Sequence, residues 1–238
     1  MRVLVTRPEP SADKTAAQLR RRGHQPVLLP LMQAHHQIDT LRRALAEAPR
    51  ALVVTSSEAV RVLASLGQDL SPLLALPVFA VGTRTAEAAQ NLGFTNVLVG
   101  GGDGEALADR ILAEWDNGRD NGLLYLAGTP RTPGLEARLN AAGLKLAVAE
   151  CYRMLPIDHH PTRLQAAFDP WPDVALLYST ETARHFVSLP PMNDDKRRIK
   201  KMRLLCLSKK IAETLPPDLR ASAVWPSDPN EDLLLDLI

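Results

Sequence analysis

One phrase of the chain occurs twice. Ser56-Ser57-Glu58-Ala59-Val60-Arg61 returns as Ser179-Thr180-Glu181-Thr182-Ala183-Arg184, and the same echo joins Ala86-Glu87 to Ala212-Glu213, Asn96-Val97 to Ala223-Val224, and Glu105 to Glu231. The separation stays between about 123 and 127 residues across four strand–turn–helix junctions. An offset of that length is far beyond the ~20–50-residue period of a solenoid, so each copy is a domain that must bury its own core. The 238 residues are therefore read as two small domains, with a shared cleft as the expected place for a ligand.

Composition removes several function classes. Hydrophobic residues make up 45% and charged residues 23% of the chain, which is ordinary for a folded globular protein. The longest apolar runs, such as Ala51 to Val54 and Val174 to Tyr178, fall far short of the ~20 residues a membrane-spanning helix needs. The opening Val3-Leu4-Val5-Thr6 reads as a strand rather than a leader, so the cytoplasm is the expected compartment. A formal net charge of +1 offers no global field for nucleic acid. The basic cluster Lys196, Arg197, Arg198, Lys200, Lys201 and Arg203 lacks interleaved aromatics and reads as a solvated face. Two cysteines, Cys151 and Cys206, sit among apolar strand residues without metal or CxxC spacing and read as buried thiols.

Short apolar runs alternate with helix-period segments, which is the signature of parallel α/β units. Strands are expected at 3–6, 27–29, 51–55, 78–81, 97–99, 123–126, 146–148, 174–178, 204–207 and 223–225. Helical faces lie between them, for example Leu107, Ile111, Leu112 and Trp115, or Leu135 and Leu139. The middle of the chain then holds five strands and its end only three. The two strands of residues 1–31 supply the missing pair. The first lobe is accordingly discontinuous, residues 1–33 plus 156–238, with the second inserted at 37–150 and crossings at 34–36 and 151–155. Each lobe is expected to be a flavodoxin-like, five-stranded parallel sheet with helices on both faces, the two joined by a two-strand hinge.

In open parallel sheets ligands lie beyond the carboxyl ends of the strands. The residues that follow these strands are small hydroxyls, glycines and cations: Thr6-Arg7, Thr55-Ser56-Ser57, Gly82 with Thr85, Gly128 with Arg131, Ser179-Thr180 and Ser208-Lys209. Each set precedes a helix N-terminus, whose free N–H groups and positive dipole end favour an anion. Simple capping by Ser and Thr accounts for any one such set, and both readings stand for each. Metal binding is not expected: the adjacent pairs His35-His36 and His159-His160 point to opposite faces when extended, and no Cys or carboxylate joins them at ligand spacing. No GxGxxG follows the first strand, and Gly100-Gly101-Gly102-Asp103-Gly104 lacks the Lys and Ser of a phosphate-cradling loop.

Across its whole length the chain resembles the uroporphyrinogen-III synthases. The resemblance rests on Val3-Leu4-Val5-Thr6-Arg7-Pro8, on Val53-Val54-Thr55-Ser56 leading into Ala59-Val60, and on Ala80-Val81-Gly82 with Thr85-Ala86. It continues with Leu124-Tyr125-Leu126, Gly128 and Arg131, then Val148-Ala149-Glu150-Cys151-Tyr152-Arg153, then Leu177-Tyr178-Ser179 leading to Phe186. The resemblance implies a linear substrate, hydroxymethylbilane, bearing eight carboxylates. It loses its terminal hydroxyl as water and closes into a ring through a spiro intermediate that inverts the last pyrrole. It further implies no cofactor and no metal, and a proton-donating role for Tyr152 toward the departing hydroxyl. Ser208 and Ile211 stand where the second copy of the Gly82 and Thr85 motif would carry glycine and threonine, and Glu58 stands where the family commonly has asparagine.

A monomer acting on a small molecule is the expected state, with at most transient contact to the enzyme that makes the bilane. A two-lobed binding protein without chemistry is the alternative. A receiver or flavin carrier on the same fold is a third reading, against which stands Thr6-Arg7 in place of an acidic pair.

Overall fold

The central strands of this chain are short, apolar and buried, which forces them into sheets covered on both faces. The structure, a computed structural model, describes residues 1–115, 122–194 and 196–238, and among these the side chains of all but residues 193–197. Two of the six residues of the basic cluster read from the sequence, Lys196 and Arg197, therefore lie outside the described side chains. The strands are β1 (Arg2–Val5), β2 (Gln25–Leu28), β3 (Met32–His36), β4 (Ala51–Val54), β5 (Val78–Ala80), β6 (Val97–Val99), β7 (Leu123–Thr129), β8 (Ala147–Pro156), β9 (Val174–Leu177), β10 (Arg203–Cys206) and β11 (Ala223–Val224). β4 and β9 are buried at all four positions, the pattern of parallel strands with helices on either side.

The chain divides into two compact units, one of Met1–Gln33 with Leu155–Ile238 and one of Ala34–Met154. In the first unit five strands pair in the order β11-β10-β9-β1-β2, and the pairings β2–β1, β1–β9, β9–β10 and β10–β11 are parallel. Leu4, Leu29, Leu31, Ala175, Phe186 and Leu204 pack on one face of this sheet, and Val3, Val5, Leu19, Val174, Leu205 and Leu234 on the other. In the second unit the order is β3-β8-β7-β4-β5-β6, with parallel pairing from β8 through to β6. Its two faces bury Leu52, Val54, Leu63 and Leu126 on one side and Val53, Ile111, Tyr125 and Leu139 on the other.

The second sheet therefore has six strands, not the five expected from the sequence. The added strand is β3, Met32-Gln33-Ala34-His35-His36, which has one neighbour in the sheet and whose exposure alternates along its length. An edge strand needs only one apolar face, so it carries no continuous apolar run and reads as a linker. β8 likewise continues from Ala147 to Pro156, well beyond the apolar 146–148 stretch, because its far half is also only partly covered.

Packing accounts for the glycine run at 100–104. A Cβ on Gly101 would lie 2.6 Å from Ala106 Cβ, and one on Gly104 would lie 3.1 Å from the Leu135 amide, so the turn can approach the helices only without side chains. In the first unit the polar residues after β1 turn inward. Arg7 is 8% exposed, donates to Glu231 at 2.6 Å and to Thr15 Oγ1 at 3.2 Å, and lies 4.2 Å from the Tyr178 ring centroid. A buried cation engaged on three sides is a structural tie, since removing one partner strands a desolvated charge. Arg7→Met should lower the unfolding free energy by about 3 kcal/mol, read from urea denaturation. An unchanged urea midpoint would show that the network is solvated.

Both thiols are fully buried, and burial pushes each up to about 12 from an ordinary 9.0. The folded values are raised, so the stability they contribute is fully present below pH 9.0 and is lost as pH rises through about 12. Native protein should leave a thiol reagent unreacted at pH 8 and take up two equivalents in urea, and its urea midpoint should fall on the alkaline side of pH 9. Stoichiometric labelling without denaturant would contradict the burial.

Candidate functional site

The most constrained polar contact in the second unit comes from a slip in strand register. β7 and β8 pair Ala127 with Glu150 and then Gly128 with Tyr152, so Cys151 is the extra residue of a β-bulge. Successive strand residues normally face opposite sides. Here Cys151 and Tyr152 enter the same core, at 0% and 8% exposure. The Cys151 thiol donates to the Ala127 carbonyl at 3.5 Å, which ties down the bulge. The Tyr152 ring is thereby laid across Gly128. A Cβ at that position would stand 2.2 Å from the ring Cζ and 2.4 Å from the phenol oxygen. Gly128 is thus glycine because the tyrosine lies against its backbone.

The phenol reaches the start of the neighbouring helix, Ser57–Ala64. Ser56 is the N-cap of that helix, extended at φ −155 and ψ 143, and its Oγ accepts the Glu58 N–H at 3.0 Å. The same hydroxyl lies near enough to the Tyr152 phenol to act on its pKa. Burial raises the phenol above its ordinary value, Ser56 pulls it back, and the negative forms of Cys151, Tyr125 and Glu58 raise it again. The group is a neutral O–H donor throughout the physiological range.

The other residues expected from the sequence fall into three groups. Thr55, half-buried after β4, is tied to Tyr125, Oγ1 to phenol oxygen at 2.8 Å, and Ser57 opens the helix beside it. Gly82, Ser179 and Ser208 each occupy an extended N-cap position, Gly82 ahead of the Thr83–Leu92 helix. Ser179 Oγ accepts the Thr182 N–H at 3.1 Å and donates to Thr182 Oγ1 at 2.8 Å, so its capping role is explicit. Thr180 begins that helix half-buried. Ser208 makes no side-chain cap, and Lys209 is exposed with only a 3.8 Å pair to Glu213.

The third group is buried. Thr6 has no exposed surface and donates its hydroxyl to the Leu176 carbonyl, while Arg7 is held in the buried network described above. Thr85 is 6% exposed within its helix. Thr6, Arg7 and Thr85, expected among the substrate-binding residues, are thus buried. Strand and helix alternation continues past the visible end of an apolar run, and these side chains fall on inward positions. Arg131 is partly exposed but occupied, donating to Glu136 at 2.7 Å and to Glu150 at 2.9 Å. Arg131 holds the Glu150 carboxyl below the usual range, and the two carboxylates hold the guanidinium charged. A ligand carboxylate would have to displace one of them.

Sequence reasoning did not find Tyr125, whose phenol is raised by burial and bound to Thr55, nor the partners of Glu58. Glu58 accepts from His36 Nε2 at 2.7 Å and from an Arg61 guanidinium nitrogen at 2.5 Å. The i,i+3 spacing of Glu58 and Arg61 was visible, but nothing local points to His36 on an edge strand. Among the described residues no group of three His, Cys, Asp or Glu side chains could hold a metal ion.

Known proteins carry the same arrangement of elements. A structure of a mutant uroporphyrinogen III synthase from Thermus thermophilus aligns over 100% of this chain and 96% of its own, at TM-score 0.58 and 21% identity. Uroporphyrinogen-III synthetase from Helicobacter pylori aligns over 100% and 98%, at TM-score 0.65 and 15% identity. Both show a mixed α/β fold of parallel sheets and helices. Uroporphyrinogen-III synthase of Saccharomyces cerevisiae is 28% identical over 162 residues, 59% of this chain, and the match spans 58% of that relative's length. Residues 13–236 match the profile of the family described as HEM4, uroporphyrinogen-III synthase HemD. A match that runs over nearly the whole chain and both of its units leaves one assignment: this chain belongs to the uroporphyrinogen-III synthase family.

Proposed function

We propose that this chain converts hydroxymethylbilane to the ring in which the last pyrrole is inverted, and that Tyr152 is the proton donor. The observation that carries this reading is the neutral phenol laid across Gly128 at the carboxyl end of a parallel sheet. The terminal C–O bond of the bilane breaks as the phenol protonates the departing hydroxyl, and water leaves. The substituted carbon of the last ring attacks the resulting cation to give the spiro intermediate. Fragmentation and reclosure through the free position then complete the ring, with loss of a proton. A weakly acidic phenol suits this step, since the leaving group departs with help from the electron-rich pyrrole and needs only a proton at the right place.

Family membership and the helix N-termini at Ser56 and Gly82 support the same substrate, whose carboxylates suit such ends. The activity is that of a cyclising hydro-lyase. We read each unit as a flavodoxin-like lobe, and the protein as a cytoplasmic monomer that meets the bilane-forming enzyme only in passing.

Purified protein given freshly made hydroxymethylbilane should yield the type III ring, identified by chromatography of the oxidised porphyrins. Type I product alone, at the rate of the protein-free control, would overturn the assignment and leave a binding protein. Tyr152→Phe should lower kcat about 10²-fold with little change in KM. Gly128→Ala must push the ring aside, so it should lose activity comparably and cost about 1–3 kcal/mol of stability. Wild-type turnover by both variants would remove Tyr152 from the mechanism.

A further inference from the structure

The bulge that turns Tyr152 onto Gly128 breaks the strand ladder locally, so the carbonyls there need partners from elsewhere. One residue supplies two of them. The backbone N–H of Gln37 donates to the Cys151 carbonyl at 2.8 Å. With its side-chain amide turned so that both ends are satisfied, Gln37 donates from Nε2 to the Glu150 carbonyl and accepts from Arg153 Nε at its oxygen, each at 3.0 Å. The three contacts fall on residues 150, 151 and 153, on both sides of the tyrosine.

Gln37 stands at the N-cap of the helix Ile38–Ala46, a place that favours Ser, Thr, Asp and Asn, and it makes no side-chain cap there. Its amide serves the neighbouring strand instead. Aligned on the repeated phrases, β2 holds in the first sheet the place that β8 holds in the second, but β2 is an edge. Beyond β8 the second sheet adds β3, whose last residue, His36, directly precedes Gln37. The unit that carries the Tyr152 phenol is thus the one with the extra strand, and that strand delivers Gln37 to the bulge.

We propose that Gln37 is a positioning residue for Tyr152: it holds the chain on either side of the tyrosine and so keeps the bulge that lays the ring across Gly128. The inference rests on the reading of Tyr152 given above. Gln37 transfers no proton, and its effect reaches the substrate only through where the phenol stands.

Gln37→Met removes the amide and keeps the length of the side chain. It should lower kcat on hydroxymethylbilane about tenfold with KM nearly unchanged. In a Tyr152→Phe background the same change should cost less than about twofold. Equal losses in both backgrounds, or none in either, would overturn the proposal. A second arm needs no substrate. The chain has three tyrosines, so in protein labelled with carbon-13 at tyrosine Cζ the Tyr152 signal is assigned by its loss in Tyr152→Phe. That signal should move in Gln37→Met while the signal of Tyr178, in the first unit, stays in place. Arg153→Met, which removes one end of the clamp and leaves Gln37 intact, should move the Tyr152 signal the same way by a smaller amount. A Tyr152 signal unmoved in both variants would overturn the proposal, as would all three tyrosine signals moving together to their unfolded position. If wild-type protein forms no ring while the Tyr152 signal alone moves, the positioning of the phenol is supported and the reaction assigned to it is what fails.

Discussion

Parallel pairing of doubly covered strands is the constraint from which the rest of this molecule follows. A parallel pair cannot be closed by a tight turn, so each strand must hand over to a crossover helix, and every such helix begins at the carboxyl end of a strand. The rim of each sheet therefore gathers helix N-termini with their unpaired N–H groups. Ser56 and Ser179 occupy those places because the helices need caps there, and Gly82 and Ser208 stand at the same position without a side-chain cap. An affinity for carboxylates comes with the same geometry. The scaffold thus accounts for where a ligand would bind, but not for which rim side chains act on it.

That choice lies in how the two units diverged on one plan. The order β11-β10-β9-β1-β2 superposes, through the repeated phrases, on β6-β5-β4-β7-β8, so β1 holds the position in its sheet that β7 holds in the other. After β1 the chain places Thr6 and Arg7, and both turn inward, Arg7 into a closed network with Glu231, Thr15 and Tyr178. At the end of β7 it places Gly128, whose bare backbone gives room to an aromatic ring from β8. One unit uses the position to brace itself, and the other leaves it open to hold a phenol.

Much of the scaffold was legible because parallel α/β strands advertise themselves. Val53-Val54 and Val174 to Leu177 are apolar on both faces, and no other element class of that length reads so. β3 was not legible, since an edge strand with polar alternation lacks that signal, and the six-stranded sheet was missed with it. The site divides the same way. Ser56 and Tyr152 could be named from the sequence, but their nearness depends on a bulge at Cys151, and a one-residue slip leaves no mark in composition or period. Side-chain direction past a strand end was likewise invisible, which is why Thr6 and Arg7 looked available. The Glu58 cluster joins residues 22 positions apart through an edge strand, and only the fold brings them together.

Burial of the phenol carries a chemical trade. Desolvation raises its pKa and so weakens it as an acid, which is a poor choice if proton transfer is the difficult step. For the ring closure proposed here, the direction of the donor matters more than its acid strength. The bilane can close unaided, and it then gives the uninverted isomer, so an enzyme has to exclude one geometry more than it has to lower one barrier. A strong, mobile acid would accelerate both closures. A donor fixed in one direction helps only the hydroxyl that departs along it, and the fixing comes from the bulge and from Gly128 rather than from acidity. The raised pKa is then the consequence of a constraint that serves selectivity, and the loss in acid strength is the smaller effect.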